Sequence, residues 1–137
     1  MTLLEMRSVL LTAIRAAIGT NVPTELENAA FTPTPETLWI SVSFLPVDDT
    51  AATLGAGGEN EVTYICQVTV NVPTNTGEAT LQGTLNTLRD YFTPGKLLTY
   101  STHSVRLTKF DISPPRQADV WYRRSASIYY YARLPRP

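Results

Sequence analysis

The chain has one cysteine, one histidine and few charges, with Asp, Glu, Lys and Arg together making up 17% of its 137 residues. A lone thiol, Cys66, allows no internal disulfide and nothing points to secretion, so the fold has to rest on packing. Cys66 falls among the apolar positions of a strand pattern, which marks a buried, inert thiol rather than a nucleophile. One His and one Cys do not supply a zinc ligand set without several carboxylates. His103 stands in what reads as a polar hairpin turn, and no nucleophile-elbow pattern accompanies it. The expectation is therefore no enzyme, no cofactor and no metal. No apolar run approaches the roughly 18 residues that span a bilayer. The start of the chain, with Glu5 and no basic region ahead of an unbroken apolar core, does not read as a secretory signal.

What is present is a well-patterned globular chain, 43% hydrophobic and of a length that reads as one domain, 1–137. Val62, Tyr64, Cys66, Val68, Val70 and Val72 alternate with Glu61, Thr63, Gln67, Thr69 and Asn71, the period of a strand with one buried and one wetter face. Pro73 ends that ladder. Leu81, Leu85, Leu88 and Phe92 then recur at helical spacing, in a helix from about Asn75 to Tyr91 with Asn75 as cap. Thr2-Leu3-Leu4-Glu5 has capping-box spacing and opens an amphipathic helix with Leu3, Met6, Leu10, Ala13, Ile14 and Ala17 on one stripe, stopped by Gly19.

A short strand is expected near Thr24–Glu27, with Pro33 and Pro35 preventing regular pairing after it. Leu38 to Leu45 alternates as a strand closed by Pro46. Val47 to Asn60 then reads as the longest loop, carrying Asp48, Asp49, Gly55, Gly57, Gly58 and Glu59. Its Gly-x-Gly-Gly piece is no phosphate cradle, since it precedes a strand and lacks a following Lys-Ser/Thr. Asp48-Asp49 matches neither a calcium loop nor a two-metal site and reads as solvated. Leu97–Tyr100 and Val105–Ile112 form a hairpin around Ser101–Ser104, and Val120–Leu134 a long closing strand. The order helix, strands, helix, strands gives an α+β fold, mainly antiparallel, with two helices packed on one face of the sheet.

The net charge of −1 hides a division. Up to Gly95 the acidic side chains greatly outnumber Arg7, Arg15 and Arg89, whereas from Lys96 onward eight cations face only Asp111 and Asp119. Such asymmetry marks a nucleic-acid surface or a surface meeting its opposite on a neighbouring copy. On the closing strand Trp121, Tyr129 and Tyr131 share a face with Arg123 and Arg133. Aromatic and arginine enrichment of this kind favours a protein interface over base stacking. Arg124 has the parity of the apolar face but belongs to the same candidate set.

The segment Glu27-Asn28-Ala29-Ala30-Phe31-Thr32-Pro33, the strand with Trp39, the Val70-Asn71-Val72-Pro73…Gly77 handover and the closing Tyr131-Ala132-Arg133 occur in an order that resembles the tail-terminator-like proteins of long-tailed bacteriophages. The resemblance implies a structural virion protein, assembled in the host cytoplasm into a hexameric ring. The ring caps the tail tube, ends its polymerisation and joins the head, with DNA passing through without sequence-specific contact. Its implied partners are further copies of itself, the tail tube protein and a head-completion or neck protein, with no membrane. On that reading Arg123, Arg124, Arg133, Trp121, Tyr129 and Tyr131 are candidates for the subunit interface, and the Val47–Asn60 segment is the docking loop. Alternatives are a neck or minor tail protein of similar fold, or a nucleic-acid-binding module using the basic closing strand.

Overall fold

The computed structural model describes residues 2–33 and 37–135. The elements run α1 (Leu3–Ile18), β1 (Thr24–Leu26), β2 (Trp39–Ala51), β3 (Glu59–Pro73), α2 (Ala79–Tyr91), β4 (Leu97–Tyr100), β5 (His103–Ile112), β6 (Arg116–Ala118) and β7 (Trp121–Pro135). The strands form one seven-stranded sheet in the order β1-β2-β3-β7-β5-β4, with β6 added to β7. All pairs are antiparallel except β1 with β2. The fold is α+β. Pro35, one of the two prolines expected to interrupt pairing, lies outside the described residues.

Local chemistry sets the ends of α1. Thr2 accepts from the backbone N–H of Glu5, the Glu5 carboxylate accepts from that of Thr2, and Gly19 leaves the helix at φ 99°. Its stripe buries Met6, Val9, Leu10, Ala13 and Ile14, while Leu3, expected on that stripe, is exposed in the first turn and Ala17 is half-buried. The four apolar residues expected on the second helix, Leu81, Leu85, Leu88 and Phe92, are all buried. They share one cluster with the α1 stripe and with Val62, Cys66, Val68, Val70 and Val72 of β3. α1 packs against α2, β4 and β5, and α2 against β3 and β7.

Three expectations need correction. The helix expected from Asn75 begins at Ala79, because Asn75 and Gly77 take left-handed φ of 67° and 82°, which a helix start does not accommodate. Pro46 does not close β2, which continues to Ala51. On this side of the strand Pro46 has no sheet neighbour, so its missing N–H removes no ladder bond, and a bulge between Pro46 and Asp48 restores the register. The expected loop of 47–60 is therefore mostly hairpin, and only residues 52–58 form its tip. Finally, His103 is no turn residue. Ser101 at φ 57° makes the turn tight enough for Tyr100 and His103 to pair, and the imidazole meets the Glu5 carboxylate at the start of α1.

Candidate functional site

Register shows what the sheet presents on the face away from the core cluster. Among the rows of side chains that cross it are Trp39-Asn71-Arg123-Arg116, Ser43-Gln67-Ser127-Asp111, Leu45-Ile65-Tyr129-Lys109 and Asp48-Thr63-Tyr131-Arg106. The candidate interface residues Tyr129 and Tyr131 thus sit in the middle of this face, with the Lys109 ammonium 5.1 Å from the Tyr129 ring centroid. Lys109 also pairs with Asp111 at 3.1 Å, and that hydrogen bond raises its pKa above the ordinary lysine value.

Trp121 and Arg123 lie at the other end, in a closed corner. Trp121 meets Trp39 edge-on at 5.7 Å between centroids, and Phe31 covers Trp39 at 5.1 Å. This aromatic cover buries Thr69 and Asn71, which alternation alone assigned to the wetter face. Burial forces them into hydrogen bonds: Thr69 Oγ1 meets Ser125 Oγ at 2.9 Å, and Asn71 Nδ2 donates to the carbonyls of Trp39 and Thr69. Trp39 Nε1, Asn71 Oδ1 and Arg123 Nε are buried without a partner among the described residues.

Arg124 points the other way and is engaged within the chain. Its guanidinium donates to the Ser113 carbonyl at 3.0 Å and to Glu78 Oε1 at 3.2 Å, and Tyr122 donates to the same carboxylate oxygen at 3.1 Å. Burial first, and then this hydrogen bond, raise the Tyr122 pKa. Arg133 is exposed and stands opposite Glu61 across β3 and β7. The division of charge along the sequence is accordingly bridged in space at Arg124, while Glu61 and Arg133 stand opposite each other on neighbouring strands.

The candidate docking residues form the end of the β2–β3 arm. Asp48 and Asp49 are strand residues opposite Thr63 and Val62, not loop residues, and Glu59 opens β3. Gly55 and Gly57 take φ of 91° and 73°, and Gly58 N–H donates to the Gly55 carbonyl at 3.4 Å. The base of the tip is stitched by Ala52 and Thr53 N–H to the Glu59 carbonyl and by Glu59 N–H to Thr53 Oγ1. Leu54, just beyond, is 96% exposed. No signal in the sequence singled it out, because one leucine among Gly, Ala and Thr has no period.

The outer edge of β2 is closed to further strands. Phe44 N–H donates to the Glu27 carboxylate at 3.2 Å, Pro46 has no N–H, the bulge follows, and Asp49 N–H donates to Asp48 Oδ1 at 3.0 Å. The β4 edge carries no such device. Leu107 N–H reaches the Lys96 carbonyl, so Leu98 and Tyr100 also turn toward β5, and Leu97 and Thr99 turn their backbone groups away from it.

Cys66 is fully buried and its thiol pKa is driven upward by desolvation. No group of three or more His, Cys, Asp or Glu among the described residues is arranged to hold a metal ion, and no described helix is long and apolar enough to cross a membrane. A hollow of about 350 Å³ opens beside Glu78, Asn75 and Gln117.

Comparison with known proteins places this geometry. A solved structure 19% identical in sequence superimposes with a TM-score of 0.69 over 96% of this chain and 97% of its own, which shows a shared fold. No curated protein matches. The family model described as phage tail terminator protein matches residues 4–130, from the first turn of α1 to the buried Tyr130 of β7. The chain belongs to the phage tail terminator protein family.

Proposed function

We propose that the protein assembles into a six-membered ring that caps the phage tail tube, ends its polymerisation and presents the surface that joins the head. The family match over residues 4–130 carries this reading. The architecture supports it. Both helices share one cluster with Val62, Cys66, Val68, Val70 and Val72, and the reading lays them on that face of the sheet, leaving the rows through Tyr129 and Tyr131 for partners. The end of the β2–β3 hairpin, with Asp48, Asp49 and Glu59, is the docking element in this reading. A ring also needs two different patches on each copy, since head-to-tail contacts close only when unlike surfaces meet.

The partners in this reading are further copies of the chain, the tail tube protein and a head-completion protein. The place is the virion, after assembly in the host cytoplasm. DNA crosses the lumen without sequence-specific contact. Electron microscopy of phage lacking the gene tests the function: tails of uncontrolled length, or tails without heads, are expected. Normal tails on filled heads would remove the reading. Light scattering on the purified protein tests the ring, with a mass near six copies expected. A monomer binding DNA with steep salt dependence would replace it with the nucleic-acid module.

A further inference from the structure

We propose that Leu54 at the arm tip of one copy seats in the groove between α1 and β4 of the next copy, an inference that rests on the ring reading above. A leucine exposed over 96% of its surface has no role within its own chain. Its backbone is nonetheless held, because Thr53 and Glu59 stitch the tip immediately before it. Such an apolar residue on a pre-organised tip is an anchor that loses little conformational freedom on docking.

The groove has the matching chemistry. It measures about 210 Å³ and is lined by Val9, Thr12 and Ala16 of α1, by Tyr91, by Lys96 just before β4, and by Leu97 and Thr99 of β4. Leu97 is itself 49% exposed, and the outward backbone groups of Leu97 and Thr99 offer hydrogen bonds to an incoming chain. Lys96 is the groove's one charge. It donates to the Tyr91 carbonyl at 2.9 Å and lies 3.9 Å from the Tyr91 ring centroid, which leaves further N–H groups for a carboxylate. The tip brings Glu59, with Asp48 and Asp49 behind it.

A second groove, about 190 Å³ beside Leu3, Leu4 and Tyr64, is the more apolar of the two but suits the charge of the tip less well. Its cation Arg7 is stacked over Phe44, and the adjoining hollow is lined by Asp48 and Asp49, which repel an acidic tip. Topology makes the chosen contact head-to-tail: β2 and β3 lie toward one side of the sheet and β4 is its opposite edge. Arm tip and β4 groove are unlike surfaces, so the contact propagates around an axis and does not terminate at a dimer.

The test is the mass of the assembly. Leu54→Asp and, separately, Ala16→Arg should each weaken association by about tenfold or more, with circular dichroism unchanged. Leu54→Cys combined with Ala16→Cys should give a disulfide ladder up to the ring size under oxidation, without interference from buried Cys66, while each single variant should not. A wild-type ring that survives both charge variants and yields no ladder overturns this contact and leaves the ring reading standing. Loss of tail joining with an intact ring in Leu54→Asp would assign the tip to another tail component and overturn it equally. A wild-type chain that is monomeric at every concentration removes the ring reading and the contact together.

Discussion

Arg124 on β7 and Glu78, the residue before α2, are joined at 3.2 Å, and Tyr122 donates to the same carboxylate oxygen. The pair ties the start of α2 to the sheet at the point where the left-handed Asn75–Gly77 turn leaves the helix without a side-chain cap. Arg124→Ala should therefore lower fold stability by about 1 kcal/mol, the modest value of a partly exposed ion pair, read as a shift of the urea midpoint. Arg124→Glu should cost more, since it places two carboxylates together. An unchanged midpoint in both would show that water screens the pair completely.

The core offers a larger effect. Leu85 of α2 is fully buried, in the cluster that includes Leu10 of α1 and Val68 of β3. Leu85→Ala should cost about 2–5 kcal/mol. Chemical denaturation checks it, and a loss under half of the lower figure would mean that the site collapses around the smaller side chain.

The contrast between these two sites shows what sequence carries. Periodic elements were legible: the capping box marks the start of α1, and the alternation through Val62–Val72 and the Leu81–Phe92 stripe mark the faces that meet the core cluster. Properties of position in the sheet were not. Pro46 ends a strand only where its N–H would have been needed, and whether β2 is an edge there depends on residues distant in sequence. Thr69 and Asn71 look solvent-facing until Trp39 and Trp121 are known to cover that end of β3. The charge division looked like two patches because no sequence rule pairs Glu61 with Arg133 or Glu78 with Arg124. β6 escaped notice because three residues between Pro115 and Asp119 have no period.

A pH effect follows from the start of α1. The Glu5 carboxyl is held below the ordinary carboxylate range, chiefly by its hydrogen bond with Thr2 and also by His103. Its folded pKa is thus lower than its unfolded pKa. The associated stability is present above the ordinary value of 4.5 and is lost as pH falls through the lower, folded value. Thermal melts from pH 7 downward should show Glu5→Gln converging with the wild type at the acid end. Parallel curves across that range would assign the stabilisation to hydrogen bonding alone.

The arm tip separates folding from assembly. β2 and β3 remain paired up to Ala51 and Asn60, so the eight residues 52–59 between that pair can be replaced by Asn-Gly, a pair suited to a two-residue hairpin turn. The replacement removes Leu54 and the Thr53 to Glu59 hydrogen bond but no core residue. Closing a shorter connection costs less entropy, which offsets that loss, so the urea midpoint should move by no more than the equivalent of about 0.5 kcal/mol. Assembly should respond quite differently, with the ring mass falling toward the monomer and phage carrying the variant giving misjoined or overlong tails. A variant that both folds and builds normal tails would show that the arm has no docking role. A variant that unfolds would show instead that the tip supports the hairpin register, and Leu54→Asp then isolates the docking surface without shortening the arm.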